Sequence, residues 1–173
     1  MSGDIVAALT AIVGEARVLT GDEVAAVEFP WDTHSGCIAR AIVEPETTDE
    51  VAAILRCCNA AGQTVVPFGG LTNLVQGCAT TPDDIVLSLT RLNRIESVDA
   101  SAGVLTAEAG VTLQQAQDAA AAAGLFFPVD IGARDNCQLG GLVANNAGGN
   151  KVIRYGMTRD TVLGLEAVLA DGT

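Results

Sequence analysis

The chain has 173 residues, 49% of them apolar and 17% charged, which is the composition of a folded globular domain. Its 9 basic and 21 acidic residues give a net charge of −12, and this disfavours nucleic acid and anionic membrane surfaces as partners. Aromatic residues make up only 3%, too few for a platform that stacks single-stranded bases. No apolar run approaches membrane-spanning length.

Apolar residues recur at helical spacing in four segments and cluster in six shorter ones. Helices are predicted over residues 4–14, from a cap at Thr47 or Thr48 to near Gly62, over 112–123 and over 139–147. Strands are predicted over residues 37–43, 64–67, 85–89, 95–98, 104–109 and 161–169, the fourth and fifth forming a hairpin. This alternation indicates a mixed α and β class with some parallel pairing. Residues 15–36 are predicted to be irregular, so residues 1–36 form a lead-in and residues 37–173 the main domain.

The last residues carry a turn signal. Asp171-Gly172 follows the predicted strand 161–169, and Asp-Gly after an apolar strand is typical of a hairpin. No return strand follows in this sequence, so we expect an N-terminal piece of a longer protein. The alternative is a terminal strand with a frayed tail.

Five cysteines and a single histidine, His34, make a zinc site unfavourable, because no C-x-x-C pair occurs. Reduced, mostly buried thiols are the simpler interpretation, and they are typical of cytosolic proteins. The first sixteen residues contain no Lys or Arg, unlike the start of a secretory signal peptide. These features predict a cytoplasmic protein.

The first glycine-rich segment is Pro67-Phe68-Gly69-Gly70-Leu71-Thr72-Asn73-Leu74, directly after a predicted strand. Paired glycines allow successive N–H groups to turn toward one point and form an anion-binding nest. Thr72 or Asn73 would add a hydrogen bond to the ligand. The simpler alternative is an ordinary glycine turn.

The second segment, residues 138–149, holds four glycines and two asparagines around a short predicted helix. Gly140 and Gly141 would expose N–H groups at the helix N-terminus, which favours negative charge. Small residues on both sides would let a flat ring approach the backbone. The alternative is a tight packing site that needs small residues.

Motifs of other common sites are absent. The sequence has no G-x-G-x-x-G and no G-x-S-x-G, and Gly-Gly-Asn-Lys at 148–151 lacks the spacing of a P-loop. His34 has no evident nucleophile partner, so no catalytic residue and no metal ligand is assigned.

Taken together, the two segments resemble the FAD-binding domain of the vanillyl-alcohol oxidase and p-cresol methylhydroxylase superfamily. The greatest likeness is to its FAD-linked 2-hydroxyacid dehydrogenases, which include D-2-hydroxyglutarate dehydrogenase, D-lactate dehydrogenase and the glycolate oxidase FAD subunit. The matching stretches are 67–74, 84–93, 128–132, 137–149 and 154–172. The resemblance implies an α+β, two-subdomain FAD-binding fold of the p-cresol methylhydroxylase type. It also implies that the chain stops before the last strands and the cap domain.

The resemblance implies that the first loop holds the FAD pyrophosphate and the second segment lies along the ribityl chain and the flavin ring. The implied cofactor contacts are Pro67, Gly69, Gly70, Leu71, Thr72, Asn73, Leu74, Pro128, Asp130, Gly132, Gln138, Gly140, Gly141, Ala144, Asn146 and Gly148. Phe68, Leu71 and Asn73 depart from the usual loop, which has a polar residue, Asn, and Gly or Ser there. Some relatives tether FAD through a histidine at the position of Leu71, so non-covalent binding is implied here.

The implied function is oxidation of a D-2-hydroxy acid to the 2-oxo acid by hydride transfer to FAD, with an unidentified electron acceptor and a homodimer as further expectations. The substrate clamp and the base would lie beyond Thr173, so this span alone is expected to be inactive. Two alternatives stay open. One is a UDP-N-acetylenolpyruvoylglucosamine reductase-like flavoenzyme that uses NADPH, and the other is a non-catalytic binding module.

Overall fold

A computed structural model describes residues 4–29 and 32–173, without the side chains of residues 32–35. The chain divides into two compact units. The first unit holds the residues up to Arg91 together with Glu166–Thr173, and the second holds Leu92–Leu165. Trp31 and the side chain of His34 lie outside the described part of the chain.

The first unit is built on a four-stranded sheet. Its helices are α1 (Ile5–Val13), α2 (Asp22–Ala25) and α3 (Thr48–Ala61). Its strands are β1 (Val18–Leu19), β2 (Glu28–Phe29), β3 (Asp32–Gly36), β4 (Ala41–Val43), β5 (Val65–Phe68) and β6 (Ile85–Ser88). The sheet order is β1-β4-β6-β5, with β1 antiparallel and the other three strands parallel. Strands β2 and β3 form a separate antiparallel pair.

Local sequence explains α3, the helix that precedes the first glycine loop. The Thr47 hydroxyl accepts the N–H of Glu50 at 3.2 Å and caps the first turn. Gly62 ends the helix with a φ of 65°, a left-handed conformation that glycine adopts without steric cost. Both helix boundaries therefore lie where the sequence predicted them.

Residues 15–36 are less irregular than predicted. They contain a 3₁₀ turn (Glu15–Arg17), β1, α2, β2 and β3. These elements are only two to five residues long, and such short pieces carry too few residues for a periodic pattern. The predicted strand 37–43 shrinks to β4, because pairing with β6 begins only at Ala41.

The second unit contains a hairpin and three helices. Its elements are β7 (Ile95–Asp99), β8 (Val104–Ala107), α4 (Leu113–Ala122), α5 (Leu139–Ala144), α6 (Val152–Tyr155) and a 3₁₀ turn (Thr158–Thr161). Strands β7 and β8 pair antiparallel, as predicted. Helix α4 begins with a reciprocal cap, in which Thr112 and Gln115 each bind the other's backbone N–H.

The predicted strand 161–169 does not form. After the 3₁₀ turn, residues 162–169 pair with no strand in the described part of the chain, and Leu163, Leu165 and Leu169 are exposed. A strand needs a partner for its backbone groups, and a run of apolar residues does not supply one. The predicted turn does form: the Leu169 N–H donates to the Thr173 carbonyl at 2.7 Å, and Gly172 has a φ of 80°.

Candidate functional site

The first glycine loop leaves the sheet at the carboxyl end of β5. Pro67 lies opposite Leu87 in the parallel register, and the buried Phe68 packs edge-on against Phe29 with ring centroids 5.8 Å apart. Ligands of parallel sheets commonly bind at the carboxyl ends of the strands. The fold therefore places Pro67 near the end of β5 and the predicted contacts from Gly69 to Leu74 on the loop that follows.

The backbone of this loop differs from the predicted nest. Its left-handed residues are Leu71, with a φ of 53°, and Gln76, with a φ of 42°, while neither Gly69 nor Gly70 has a positive φ. The left-handed residue next to the paired glycines is therefore Leu71 and not a glycine. A left-handed conformation is unfavourable for leucine. Leu71 is nonetheless held there, because its side chain packs against the core cluster that includes Phe68.

Asn73 shapes the loop through its side chain. Its Oδ1 accepts the N–H groups of Val75 at 3.2 Å and Gly77 at 3.4 Å. Its Nδ2 donates to the buried Cys78 Sγ at 2.9 Å. The side chain that was predicted to reach a ligand thus bonds within the loop itself. This interaction crosses only five residues, so an Asx-type turn signal in the sequence could have suggested it.

The second segment is fixed mainly by backbone hydrogen bonds. The Gly140 N–H donates to the Ala109 carbonyl and the Leu139 N–H to the Val111 carbonyl, both at 2.8 Å. The prediction that Gly140 exposes its N–H is therefore wrong. The adjoining helix α5 has only six residues, so its dipole offers little to an anion.

The five glycines between residues 132 and 149 fall into two classes. A Cβ on Gly140 would lie 2.9 Å from the Ala109 Cβ, and a Cβ on Gly149 would overlap the Asp130 carbonyl. Gly148 is also crowded, by the flexible Met157 side chain. By contrast, a Cβ on Gly132 or Gly141 would meet no protein atom within 4 Å.

Both alternatives for this segment are therefore partly realised. Packing explains why Gly140 and Gly149 are glycine, because any side chain would displace neighbouring backbone. No neighbouring atom and no positive φ explains Gly132 or Gly141. Open backbone of this kind is what a flat cofactor needs for close approach, so these two positions fit a bound flavin.

Asp130 is the most strongly paired of the predicted site residues. Its Oδ2 accepts the Lys151 ammonium at 2.8 Å, and its Oδ1 lies 3.1 Å from the Arg134 Nη2 as an ion pair. The hydrogen bond from Lys151 lowers the pKa of the Asp130 carboxyl, although partial burial opposes the shift. Neither Lys151 nor Arg134 was predicted as a site residue. The Asp130–Lys151 pair spans 21 positions, and no local pattern signals it.

A polar pocket of about 420 Å³ lies in the second unit. It is lined by Gln114, Asp130, Ile131, Gly132, Ala133, Arg134, Asp135 and Asn150. Gly132 thus combines an open Cβ direction with a place on a pocket wall. Ala133, next to it, has a φ of 55°, which bends the backbone around this pocket.

The remaining predicted residues of the second set lie in the same unit. Pro128 precedes the buried Val129, whose carbonyl accepts the Gln117 side chain at 2.8 Å. Asn146 has a φ of 47°, and its Oδ1 accepts the Arg159 N–H at 3.0 Å. The other members are distributed over α5 and its ends, namely Gln138, Gly140, Gly141, Ala144 and Gly148. The structure therefore collects the second set within one unit.

Comparison with known proteins identifies the class. A family model described as an FAD binding domain matches residues 39–173. The chain therefore belongs to the FAD-binding domain family, as the two glycine-rich segments predicted.

Individual relatives show which kinds of enzyme the chain resembles in sequence. The chain is 39% identical over its whole length to the mitochondrial D-2-hydroxyglutarate dehydrogenase of Bos taurus, of which it covers 32%. It is 45% identical over 131 residues, 76% of its length, to a putative mitochondrial D-lactate dehydrogenase of Schizosaccharomyces pombe, of which it covers 25%. The chain thus spans about a third or less of the curated relatives it matches.

Solved structures confirm the fold. Phl p 4, a grass pollen allergen with glucose dehydrogenase activity, matches 98% of this chain with a TM-score of 0.84 and 17% identity, over 37% of its own chain. An alkyldihydroxyacetonephosphate synthase matches 94% of this chain with a TM-score of 0.80 and 16% identity, over 32% of its own chain. The predicted α+β FAD-binding fold with two subdomains is therefore confirmed.

The predicted cytoplasmic location is wrong, because the names of the bovine and yeast relatives place them in mitochondria. The prediction used reduced thiols and the absence of a secretory signal, and neither feature separates the cytosol from other reducing compartments. In the described part of the chain, no helix is long and apolar enough to cross a membrane.

Proposed function

We propose that this chain binds FAD non-covalently and forms the cofactor-binding part of an enzyme that oxidises a D-2-hydroxy acid to the 2-oxo acid. The open backbone at Gly132 and Gly141, in a chain that belongs to an FAD-binding family, is the observation that carries the cofactor proposal. The substrate class rests on the names of the bovine and yeast relatives, which act on D-2-hydroxyglutarate and D-lactate.

In this proposal each glycine-rich segment has its own task. The loop from Pro67 to Leu74 meets the pyrophosphate, and its shape depends on the hydrogen bonds of Asn73. The second set, from Pro128 to Gly148, lies along the ribityl chain and the flavin ring, where Gly132 and Gly141 permit close contact. FAD would supply the hydride acceptor, and these two segments would hold and orient it. The same proposal takes residues 1–36 as a lead-in and residues 37–173 as the FAD-binding domain.

Two features support non-covalent binding. Leu71, at the position of the tethering histidine of some relatives, has no nucleophilic atom. Cys137, a thiol in the second segment, is buried, and burial raises its pKa. A thiol held protonated is a poor nucleophile, because the thiolate is the reactive form.

We assign no catalytic residue within these 173 residues. The proposal includes a small 2-hydroxy acid as substrate, an unidentified electron acceptor and pairing with a second copy. Leu163, Leu165 and Leu169 are exposed in a stretch that forms no strand with the described residues, and such exposed apolar side chains favour self-association.

The cofactor proposal is tested by titrating the purified chain with FAD and then precipitating it with acid. We expect saturable binding and full release of the yellow colour into the supernatant. Gly70→Val should abolish binding, because it adds a Cβ and two methyl groups where the loop meets the pyrophosphate. Cys57→Ala, on α3, is the matched control and should bind normally. No binding by the parent chain, or colour retained in the pellet, contradicts the proposal.

The substrate proposal is tested by following flavin bleaching in the FAD-loaded chain and in the complete protein. We expect no multiple turnovers by the 173-residue chain with D-2-hydroxyglutarate, D-lactate or glycolate, because catalysis needs a site that excludes water around the reacting carbon. The complete protein should be bleached by a D-2-hydroxy acid and not by NADPH. Bleaching by NADPH alone would instead favour the reductase alternative.

A further inference from the structure

We propose that Lys151 is a positioning residue for the flavin segment. Its ammonium holds Asp130 in place and thereby keeps Pro128–Gly132 in the conformation that binds FAD. The Asp130 carboxylate accordingly pairs with Lys151 and Arg134. This inference rests on the proposed function and assigns a role within the same site.

The two chain segments involved are joined at three adjacent points. The Asn150 N–H donates to the Asp130 carbonyl at 3.1 Å, and the Lys151 Nζ donates to the Asp130 Oδ2 at 2.8 Å. Gly149 packs directly on the Asp130 carbonyl, where a Cβ would overlap it. The residues 149–151 therefore form a continuous support against the backbone and the side chain of Asp130.

Asp130 is paired with two cations, although its buried Oδ1 has no hydrogen-bond partner among the described residues and lies near Arg134 only as an ion pair. Both carboxylate oxygens face cations, Lys151 at 2.8 Å and Arg134 at 3.1 Å, and the Asp130 side chain is only 13% exposed. The hydrogen bond from Lys151 lowers the pKa of this carboxyl, so it stays ionised and paired. A phosphate or a flavin carbonyl would gain nothing from an anion in this position.

Lys151 is itself held in place. Its Nζ lies 5.0 Å from the centroid of the Phe126 ring, within the range of a cation–π contact. Phe126 in turn packs against Tyr155 with ring centroids 5.4 Å apart. The ammonium is therefore fixed between a carboxylate and an aromatic ring, which suits a positioning role better than a mobile surface charge.

The support reaches the cofactor through Gly132. This residue lies two positions after Asp130, has open space in its Cβ direction and lines the polar pocket. Loss of the Lys151 bond would leave Arg134 as the remaining ion-pair partner of Asp130 and loosen the backbone that leads to Gly132. The effect should fall on FAD affinity more than on global stability, because Lys151 is 38% exposed.

The test compares FAD dissociation constants of the full chain and its Lys151→Met variant. Arg159→Met is the control, because it removes one positive charge from a side chain that is 78% exposed and pairs with Asp160 instead of Asp130. Because Lys151 and Asp130 are in direct contact, we expect Lys151→Met to weaken FAD binding about tenfold. Arg159→Met should change it by less than about twofold.

Two further variants separate positioning from general damage. Lys151→Arg should restore most of the affinity, because a guanidinium can still bind the carboxylate. Asp130→Asn should weaken FAD binding as much as Lys151→Met, and the double variant should be no weaker than either single one. Thermal unfolding of the apoprotein should stay close to that of the parent in Lys151→Met and Lys151→Arg.

The outcomes are distinct. Provided that the parent chain binds FAD, two results overturn the positioning role. One is an equal loss of FAD affinity in Lys151→Met and Arg159→Met. The other is an Asp130→Asn variant that binds FAD like the parent. Additive losses in the double variant also overturn it. A parent chain that does not bind FAD instead overturns the proposed function, and the inference with it.

Discussion

The two glycine-rich regions look alike in sequence but are held in different ways. Side-chain hydrogen bonds shape the loop after β5, where Asn73 binds Val75, Gly77 and Cys78. Backbone contacts fix the second segment, where Gly140 donates to Ala109 and Gly149 packs on the Asp130 carbonyl. A glycine in such a motif can therefore serve the ligand or the packing, and its surroundings decide which.

The largest effect should come from Gly149→Ala, which tests the packing half of this comparison. The new methyl would overlap the Asp130 carbonyl, and backbone cannot move aside as a flexible side chain can. Overpacking typically costs about 1–3 kcal/mol, and we expect the upper end here. Urea unfolding measures the loss. Gly164→Ala is the matched control, because its Cβ direction is open. A change of less than about 0.5 kcal/mol in Gly149→Ala would contradict the packing role.

A smaller effect is expected in the first loop from Asn73→Ala. The substitution removes the acceptor for the Val75 and Gly77 N–H groups, and each lost hydrogen bond costs about 0.5–1.5 kcal/mol. Hydrogen exchange at these two amides should accelerate, while exchange in α3 stays the same. Asn73→Asp keeps the acceptor oxygen and should preserve their protection. Rapid exchange of both amides in the parent would show that the side chain does not hold the loop.

The smallest effect is the pH dependence that Asp130 adds to the second segment. Its folded-state pKa lies below the unfolded value of about 3.9. Its contribution is therefore fully present above that value and is lost as the pH falls through the folded-state pKa. The difference in unfolding free energy between the parent and Asp130→Asn should shrink in this acid range. A difference that stays constant through it would show that the ion pairs do not support the fold.

A feature can be predicted from the sequence when the residues that determine it are close together along the chain. The caps of α3 at Thr47 and Gly62 are local, and both were predicted. The strand over residues 161–169 was predicted wrongly, because pairing depends on a partner elsewhere in the chain. The Lys151–Asp130 pair spans 21 residues and leaves no local pattern. The FAD-binding family was predicted because each of its two motifs is one continuous stretch of sequence and the two occur in the family's order.

The sequence also does not predict which residues adopt a positive φ. A glycine in the sequence shows where a left-handed backbone is permitted, and packing decides where it occurs. In the first loop it occurs at Leu71, whose side chain the core cluster holds. The second unit also has a positive φ at two non-glycine residues, Ala133 and Asn146.

The central claim is that Gly132 and Gly141 are glycine because FAD approaches their backbone closely. Gly141→Ala tests this claim most directly. Gly141 lies inside α5, its Cβ direction is empty and its φ is not positive. Alanine is favoured over glycine in a helix by about 1 kcal/mol, so the apoprotein should be as stable as the parent or more so. The measurement is the FAD dissociation constant of this variant beside its apoprotein unfolding temperature. We predict at least about tenfold weaker binding, which corresponds to 1.4 kcal/mol, with no loss of stability. Unchanged FAD affinity in a stable Gly141→Ala protein would contradict the account.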